Sequence, residues 1–377
     1  MNPNQPALTP PAEPIALSVL TGFLGAGKTT LLQKLVADPA LSDAAVLINE
    51  VGEAALDHLF VEVLDERLLL LASGCLCCTV RGDLLDSLEN IAYLRDEGRV
   101  SFRRVVIETT GLADPAPLLH LVMTHPYLVQ RYRLDGIVTL IDAVNAGATL
   151  DAHEEAVKQV AMADRLVLTK TDLVAGPERE RLTALRARLK RLNPAAPVFD
   201  AANGEATAAA LLDAGLYEPS GKIPDVARWL AEEAVAGAVR APSTGREPHR
   251  HDERIRVFTI ATEAAIPLST LEGFLELLRA THGEKLLRLK GIVRIAEEPD
   301  QPLVLHAVQQ VLHPPVRLAR WPDDDRRSRL VCVTRDLEPS VVQRLLNAFL
   351  GVPAADTPDR AALLDNPLAI RPGEQAG

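Results

Sequence analysis

A glycine-rich run that ends in lysine and threonine stands near the start of the chain, at Gly22–Thr29. Its Gly-x-x-x-x-Gly-Lys-Thr spacing is the Walker A pattern, in which backbone N–H groups wrap the phosphates of a nucleotide. Lys28 would reach the β- and γ-phosphates, and the Thr29 hydroxyl would be a Mg²⁺ ligand. A chance glycine-rich turn is the alternative. The residues expected to contact the nucleotide here are Gly22, Gly25, Ala26, Gly27, Lys28, Thr29 and Thr30.

A second polar run, Thr-Lys-Thr-Asp at Thr169–Asp172, follows an apolar strand candidate. The Asp172 carboxylate would accept hydrogen bonds from N1–H and the N2 amino group of guanine, a donor pair that adenine lacks. The Lys170 stem would pack along the base. Four residues alone also fit a solvated loop. Together with the glycine-rich run, however, they predict binding of GTP and GDP rather than of ATP.

An acidic residue, Glu108, ends another apolar run and is followed by Thr-Thr-Gly. Glu108 is placed to hold Mg²⁺ through water, and the Gly111 N–H to sense the γ-phosphate. An ordinary helix N-cap formed by Thr109 or Thr110 is the alternative. The candidate catalytic residues are therefore Lys28, Thr29 and Glu108. No glutamine stands at an obvious position to orient the attacking water, so slow intrinsic GTP hydrolysis is expected.

Three of the four cysteines stand within four positions, at Cys75, Cys77 and Cys78. A disulfide framework would be spread along the chain, so this clustering favours metal or redox chemistry in a reducing compartment. Three thiolates leave one tetrahedral position of Zn²⁺ for a carboxylate, an imidazole or water. The nearby candidates for that position are Glu53, Asp57 and His58. Burial in the core and a redox switch are the alternatives.

Apolar runs precede these motifs and alternate with leucine patterns of helical spacing. The predicted strands are Ile15–Leu20, Ala45–Ile48, Leu68–Leu71, Arg104–Ile107, Gly136–Ile141 and Arg165–Leu168. Such alternation predicts right-handed crossovers and a mostly parallel sheet. Open α/β sheets bind ligands at the carboxyl edge of their strands. The first part of the chain is therefore predicted to be an α/β P-loop NTPase domain with its polar motifs at one edge.

The second part of the chain has several strand candidates for each helix, which predicts a smaller α+β domain with an antiparallel sheet. The predicted strands are Arg256–Ile260, Ile292–Ile295, Leu303–Val308 and Leu330–Val333, and the predicted helices are Leu271–Leu278 and Ser340–Phe349. We expect Cys332 in the core of this domain. Lys290 and Arg294 are expected on a basic surface.

Five segments follow from these patterns: a lead-in over 1–14, a GTPase domain over 15–216, a linker over 217–254, the α+β domain over 255–352 and a tail over 353–377. The linker is expected to include a helix near Val226–Val239.

The net charge of -11 argues against a nucleic-acid partner. No Lys or Arg precedes Lys28, and the apolar stretch Ile15–Ala26 is too short to span a bilayer. We therefore expect a cytoplasmic protein without a membrane partner.

The motifs taken together resemble those of the CobW/YjiA-type GTPases, a family of GTP-dependent metal chaperones related to the nickel-insertion GTPases. The matching runs are Thr21–Thr30, Asn49–Glu53, Gly74–Cys78, Glu108–Pro115, Ala163-Asp164 before Thr169–Asp172, Gln130–Gly136 and Lys285–Gly291. The resemblance extends from about Ile15 to Val352. The Cys-x-Cys-Cys run joined to a Walker A loop is more specific than either part alone.

The resemblance implies a GTPase domain followed by the family's C-terminal α+β domain. It implies zinc as the metal, with cobalt and nickel also open, held by the three cysteines and by Glu53. Its further implication is a client metalloprotein that receives the metal in a nucleotide-dependent way; a homodimer is left open. A nucleotide-gated scaffold, a redox-sensing GTPase and a small-molecule P-loop kinase are the competing readings. The pair Lys170 and Asp172 argues against the kinase.

Overall fold

The computed structural model describes residues 14–49, 61–65, 68–73, 81–176, 178–194, 196–212, 254–312 and 315–352. Two β-sheets organise this part of the chain, one on each side of the gap between 212 and 254. The cysteine run, Glu53 and the predicted linker helix lie outside the described residues, as do the lead-in up to residue 13 and the tail from residue 353.

The first sheet has eight strands in the order β3-β4-β2-β5-β1-β6-β7-β8. They are β1 Ile15–Gly22, β2 Ala44–Asn49, β3 Val61–Asp65, β4 Leu68–Ser73, β5 Arg104–Glu108, β6 Tyr132–Asp142, β7 Arg165–Thr169 and β8 Val198–Asp200. All neighbours are parallel except β3, which pairs antiparallel with β4 at the edge. The predicted α/β fold is confirmed, because all six predicted strands lie in this sheet.

Helices cover both faces of the first sheet. They are α1 Lys28–Val36, α2 Arg81–Asp96, α3 Ala116–Thr124, α4 Leu128–Arg131, α5 Ala146–Ala152, α6 Glu154–Met162, α7 Glu178–Leu192 and α8 Ala208–Leu211. Leucines of α1 and α8 pack on one face of the central strands, and α2, α3, α6 and α7 pack on the other. The central strands β1, β5 and β7 are buried on both faces, which is why they read as continuous apolar runs. None of the helices in the described ranges has the length and apolarity needed to cross a membrane.

The second sheet is antiparallel, in the order β12-β11-β10-β14-β9 with β13 paired to β11. Its strands are β9 Ile255–Thr262, β10 Leu286–Val293, β11 Leu303–Val308, β12 Val311–Leu312, β13 Val316–Arg317 and β14 Ser328–Arg335. Helices α9 (Leu268–His282) and α10 (Pro339–Phe349) pack on one face, around Phe274. Cys332 lies in that core as predicted. The predicted antiparallel α+β unit is confirmed.

Strand β10 differs from its predicted position. The predicted strand Ile292–Ile295 is wrong, because the strand begins six residues earlier at Leu286 and ends at Val293. Lys290 lies inside β10 and is 8% exposed, so its predicted place on a basic surface is wrong as well. Two charged residues in the strand, Arg288 and Lys290, hide its apolar pattern. Both are buried in the folded chain because a carboxylate from the connection before β7 pairs with them.

That carboxylate is Asp164, which stands between α6 and β7 and is buried. Its Oδ1 accepts hydrogen bonds from Arg288 and from Lys290. Arg288 also donates to the carbonyls of Met162 and Ala163, at 3.1 and 2.8 Å. Those carbonyls belong to the C-terminal turn of α6, where orphan acceptors favour a cationic partner. The described residues up to 212 are called the first unit here, and those of 254–352 the second unit. Arg288 therefore caps a helix of the first unit and joins it to the sheet of the second.

The ionisation of this cluster follows from its composition of one carboxylate and two cations. Burial opposes the charge of Asp164, but Arg288, Lys290 and His306 hold the pKa of its carboxyl well below the ordinary range. Burial and the neighbouring Arg288 lower the pKa of Lys290 to about 8, against the attraction of Asp164. The carboxylate is therefore charged at neutral pH, and Lys290 gives up its proton more readily than an exposed lysine.

Apolar contacts accompany these ion pairs. The face of the second sheet opposite α9 and α10 contributes Ile255, Leu287, Val308, Val311 and Val333 to the main core of the first unit. The same core contains the buried residues of α6 and α7. The two sheets therefore share one apolar core across their junction.

Candidate nucleotide site

The glycine-rich run forms the turn between β1 and α1. Gly22 ends β1 with φ +144°, and a Cβ there would lie 2.5 Å from the Leu140 carbonyl oxygen, so that only glycine fits. Gly27 immediately precedes the first residue of α1, Lys28. The backbone N–H groups of the first turn of α1 therefore border the turn, which is the arrangement that attracts phosphate.

Lys28 and Thr29 occupy the first turn of α1. The Lys28 Nζ donates to the carbonyl oxygens of Gly22 and Phe23, at 3.0 and 3.4 Å, so the ammonium lies over the loop. The Thr29 Oγ1 donates to Glu108 Oε1 at 2.8 Å. Glu108 ends β5 and is 2% exposed. The structure thus brings the three predicted catalytic residues together at the carboxyl edge of the sheet.

The oxygen pair of Thr29 and Glu108 has the chemistry of a Mg²⁺ site. A hydroxyl and a carboxylate are hard oxygen ligands, which Mg²⁺ prefers over nitrogen and sulfur. The 2.8 Å between their oxygens is close enough for both to face one ion or its bound water. These two residues fit the cation that a nucleoside triphosphate carries.

The loop after Glu108 rests directly on the glycine-rich turn. A Cβ on Gly111 would lie 2.6 Å from the Leu24 backbone nitrogen, so the two loops touch. The helix N-cap alternative is wrong, because α3 begins later, at Ala116, with Pro115 before it. The Thr109 hydroxyl instead donates to Thr21 Oγ1 at 2.8 Å.

The second polar run follows β7 at the same edge. The Thr169 hydroxyl donates to the Ala26 carbonyl at 2.9 Å and so joins this run to the glycine-rich turn. Lys170 has a left-handed backbone with φ 58°, and its Nζ donates to Asp142 Oδ2 at 2.7 Å. Asp172 is exposed. The run thus presents one carboxylate to solvent beside the turn that would hold phosphates.

Three polar residues of this edge were not identified from sequence. Asp142 holds Lys170; burial opposes its charge, but hydrogen bonds from Lys170 and Asn145 lower the pKa of its carboxyl. Asp200 accepts from the Thr171 hydroxyl at 2.6 Å. Gln159 lies on α6 and contacts the Gly111 loop. Asp142 and Asp200 both end apolar strands, a signal that could have pointed to them; Gln159 lies within a helix and gives no such signal.

The four predicted metal ligands lie outside the described residues; they are Cys75, Cys77, Cys78 and Glu53. Within the described ranges, no group of three or more His, Cys, Asp or Glu side chains is arranged to hold a metal ion.

These features define a P-loop GTPase. They are a mostly parallel sheet, a glycine-rich turn after β1, an acidic residue that ends β5 and a Thr-Lys-x-Asp run after β7. The model of the CobW/HypB/UreG nucleotide-binding domain matches residues 16–200. The model of the cobalamin synthesis protein CobW C-terminal domain matches residues 255–350. The chain belongs to the CobW/HypB/UreG family and carries the CobW C-terminal domain.

Named relatives agree with this assignment. The zinc chaperone YjiA of Escherichia coli is 34% identical over 345 residues, which are 90% of this chain and 99% of the relative. A zinc-regulated GTPase metalloprotein activator of Schizosaccharomyces pombe is 37% identical over 199 residues, covering 51% of this chain and 47% of that protein. The crystal structure of Zn(II)-bound YjiA GTPase from E. coli superposes with a TM-score of 0.64 at 28% identity, over 91% of this chain and all of that one.

Proposed function

We propose that this GTPase is a zinc chaperone that binds zinc at Cys75, Cys77 and Cys78 and passes it to a client metalloprotein under the control of GTP hydrolysis. The observation that carries the proposal is the similarity to the zinc chaperone YjiA over 99% of that protein's length. Cobalt and nickel are further metals that the same thiolates would accept.

The sheet topology supports a link between nucleotide and metal. Strand β4 ends at Ser73, two residues before Cys75, and pairs in parallel with β2. Strand β2 pairs in turn with β5, which ends at Glu108. The cysteine run therefore follows strand β4, whose carboxyl end lies at the same sheet edge as the nucleotide motifs. Only strand β2 separates β4 from β5, so a movement of the loop after Glu108 would need to be transmitted across one strand to reach the cysteines.

Metal titration of the full chain tests the proposal. With GDP and then with a non-hydrolysable GTP analogue and Mg²⁺, we expect one Zn²⁺ per chain and affinities that differ between the two states. Replacing Cys77 with serine should abolish the zinc binding. The matched control is Cys332→Ala, since Cys332 lies in the core of the second sheet and its loss should leave stoichiometry unchanged.

Two results would contradict parts of the proposal. Equal zinc affinities with GDP and with the GTP analogue would exclude control by the nucleotide. Absence of zinc binding together with reversible oxidation of the three thiols would identify a redox sensor instead.

Mg²⁺ at Thr29 and Glu108 would supply charge neutralisation for the transferred phosphate when bound.

Nucleotide choice gives a separate prediction at Asp172. In Asp172→Asn, affinity for GTP is expected to fall about 100-fold, because the charged acceptor for two guanine donors is lost. Affinity for xanthosine triphosphate should rise, since xanthine has a carbonyl where guanine has its amino group and the asparagine amide can donate to it. Binding of fluorescent analogues of both nucleotides measures the change. The control is Glu180→Gln, an exposed change of the same kind on α7; equal loss in both variants would contradict the assignment.

A further inference from the structure

Helix α6, Glu154–Met162, contacts both the nucleotide edge of the first sheet and the second sheet. It has nine residues, so it is about 13.5 Å long. Some of its polar groups contact the loop around Gly111, and others meet basic side chains of the second unit.

Gln159, in the middle of α6, holds the Gly111 loop. It is 1% exposed, and its Nε2 donates to the carbonyls of Gly111 and Ala113, at 3.3 and 3.0 Å. Both neighbours are carbonyl oxygens, so the amide must present its NH₂ group to them. The backbone carbonyl of Gln159 accepts from the Thr139 hydroxyl at 2.8 Å. Gln159 therefore links the loop to strand β6.

The hydrogen bond from Gln159 restrains the backbone of Gly111, a glycine that lies in a confined position. Its far side rests against Leu24, where an added Cβ would lie 2.6 Å from the backbone nitrogen. Fixing the Gly111 carbonyl fixes the orientation of the next peptide group and limits the dihedral freedom of the glycine. Lys158, the neighbour of Gln159 on α6, adds an ion pair of 3.6 Å to Asp114 of the same loop.

Both ends of α6 are contacted by side chains of the second unit. At its first residue, Glu154 pairs with Arg254 and Arg335, each at 2.9 Å. Burial opposes the charge of Glu154, but the Arg335 hydrogen bond and the charge of Arg254 lower the pKa of its carboxyl. At its last turn, the carbonyl of Met162 accepts from Arg288 of β10. The second unit thus holds the helix at both ends.

We propose that Gln159 is a positioning residue for GTP hydrolysis, and that through α6 the second unit sets the position of Gly111. The inference rests on the proposed contact between the Gly111 N–H and the γ-phosphate. In this inference Gln159 acts on the loop rather than on the attacking water, since its side chain is 1% exposed and its NH₂ group donates to two loop carbonyls.

The variant Gln159→Met tests the first part, because methionine keeps the volume and removes both donors. We expect affinity for a non-hydrolysable GTP analogue to fall about fivefold to tenfold and kcat to fall about tenfold. Affinity for GDP should change less than twofold, since GDP has no γ-phosphate for Gly111 to contact. A purely packing role would lower the melting temperature without changing the ratio of the two affinities.

The variant Glu154→Gln tests the second part, because it removes the charge that holds Arg254 and Arg335. We expect the same affinity ratio to shift about threefold. In the double variant with Gln159→Met, the combined shift should fall short of the product of the two single shifts, since both act on one helix. The control is Arg256→Ala, which removes an exposed pair with Glu338 inside the second unit and should leave the ratio unchanged.

The outcomes separate this inference from the proposed function. An unchanged ratio in Gln159→Met would overturn the positioning role, and a double variant that equals the product would overturn the coupling through α6. A wild-type chain that binds the analogue and GDP yet binds no zinc would contradict only the chaperone proposal. A Gly111→Ala variant with an unchanged affinity ratio would remove the premise shared by both parts.

Discussion

Replacing Lys28 with alanine is expected to lower kcat for GTP hydrolysis by about 10³-fold. The Lys28 ammonium lies over the glycine-rich turn, held by the Gly22 and Phe23 carbonyls. A lysine at this position of a Walker A loop reaches the β- and γ-phosphates, and charge on those oxygens grows during transfer. Because the side chain is 8% exposed, solvent screens its charge little. Release of phosphate under single-turnover conditions measures the effect.

The control for this variant is Lys34→Ala, an exposed lysine in the last turn of the same helix. It removes the same side chain from α1 and should leave kcat within twofold of wild type. A Lys28→Ala protein that keeps its melting temperature and still hydrolyses GTP at the wild-type rate would show that the Gly22–Thr29 turn is not the phosphate site.

Replacing Asp164 with alanine is expected to lower the free energy of unfolding by about 3–5 kcal/mol. The change leaves Arg288 and Lys290 buried without the carboxylate that compensates them, and it removes the Oδ2 acceptor of the Ile137 N–H. Urea unfolding followed by circular dichroism measures the change. The control is Asp300→Ala, which removes an exposed pair with Arg326 and should cost less than about 1 kcal/mol.

A further variant separates charge from packing at this position. Replacing all three charged residues with apolar ones, as Asp164→Leu with Arg288→Met and Lys290→Met, should recover much of the lost stability, because none of the three charges of the cluster then remains buried. If the single Asp164→Ala variant unfolds at the wild-type urea concentration, the cluster contributes nothing to stability.

The pH dependence of the wild type carries the same signature. The folded-state pKa of Asp164 is depressed, so its contribution is fully present above its ordinary value of 3.8 and is lost as pH falls below it. Folding lowers the pKa of Lys290 from 10.5 to about 8, so the unfolded chain holds the proton more strongly than the folded one. Between about pH 8 and pH 10.5, the free energy of unfolding should therefore rise with pH. In Asp164→Ala the acid-side loss from this carboxyl should vanish.

The strand-and-helix alternation was enough to predict the parallel sheet, because a sheet covered on both faces leaves continuous apolar runs such as β1. The glycine-rich run was equally readable, since its internal spacing reflects the geometry of one loop. Strand β10 was misplaced because its charged residues look solvated until Asp164 is brought to them from more than a hundred positions away. A single sequence contains no signal for such a pairing across two units.

Gln159 shows the same limit at the nucleotide edge. Nothing in its local sequence marks it, because its partners are two backbone carbonyls that any residue would offer. Asp164 and the Lys285–Gly291 run, in contrast, both stood among the motifs that carry the family resemblance. The structure gives those two separate motifs one physical reason, which is that each supplies charge to the same buried cluster.

The apolar core shared by the two sheets determines how the protein unfolds. Ile255, Leu287 and Val333 of the second sheet pack into the core that α6 and α7 cover. Separating the units would expose that surface to water on both sides, so neither can melt while the other keeps its full stability. Heating should therefore produce one cooperative transition, and a protease or chaperone would meet this two-sheet chain as a single all-or-none unit.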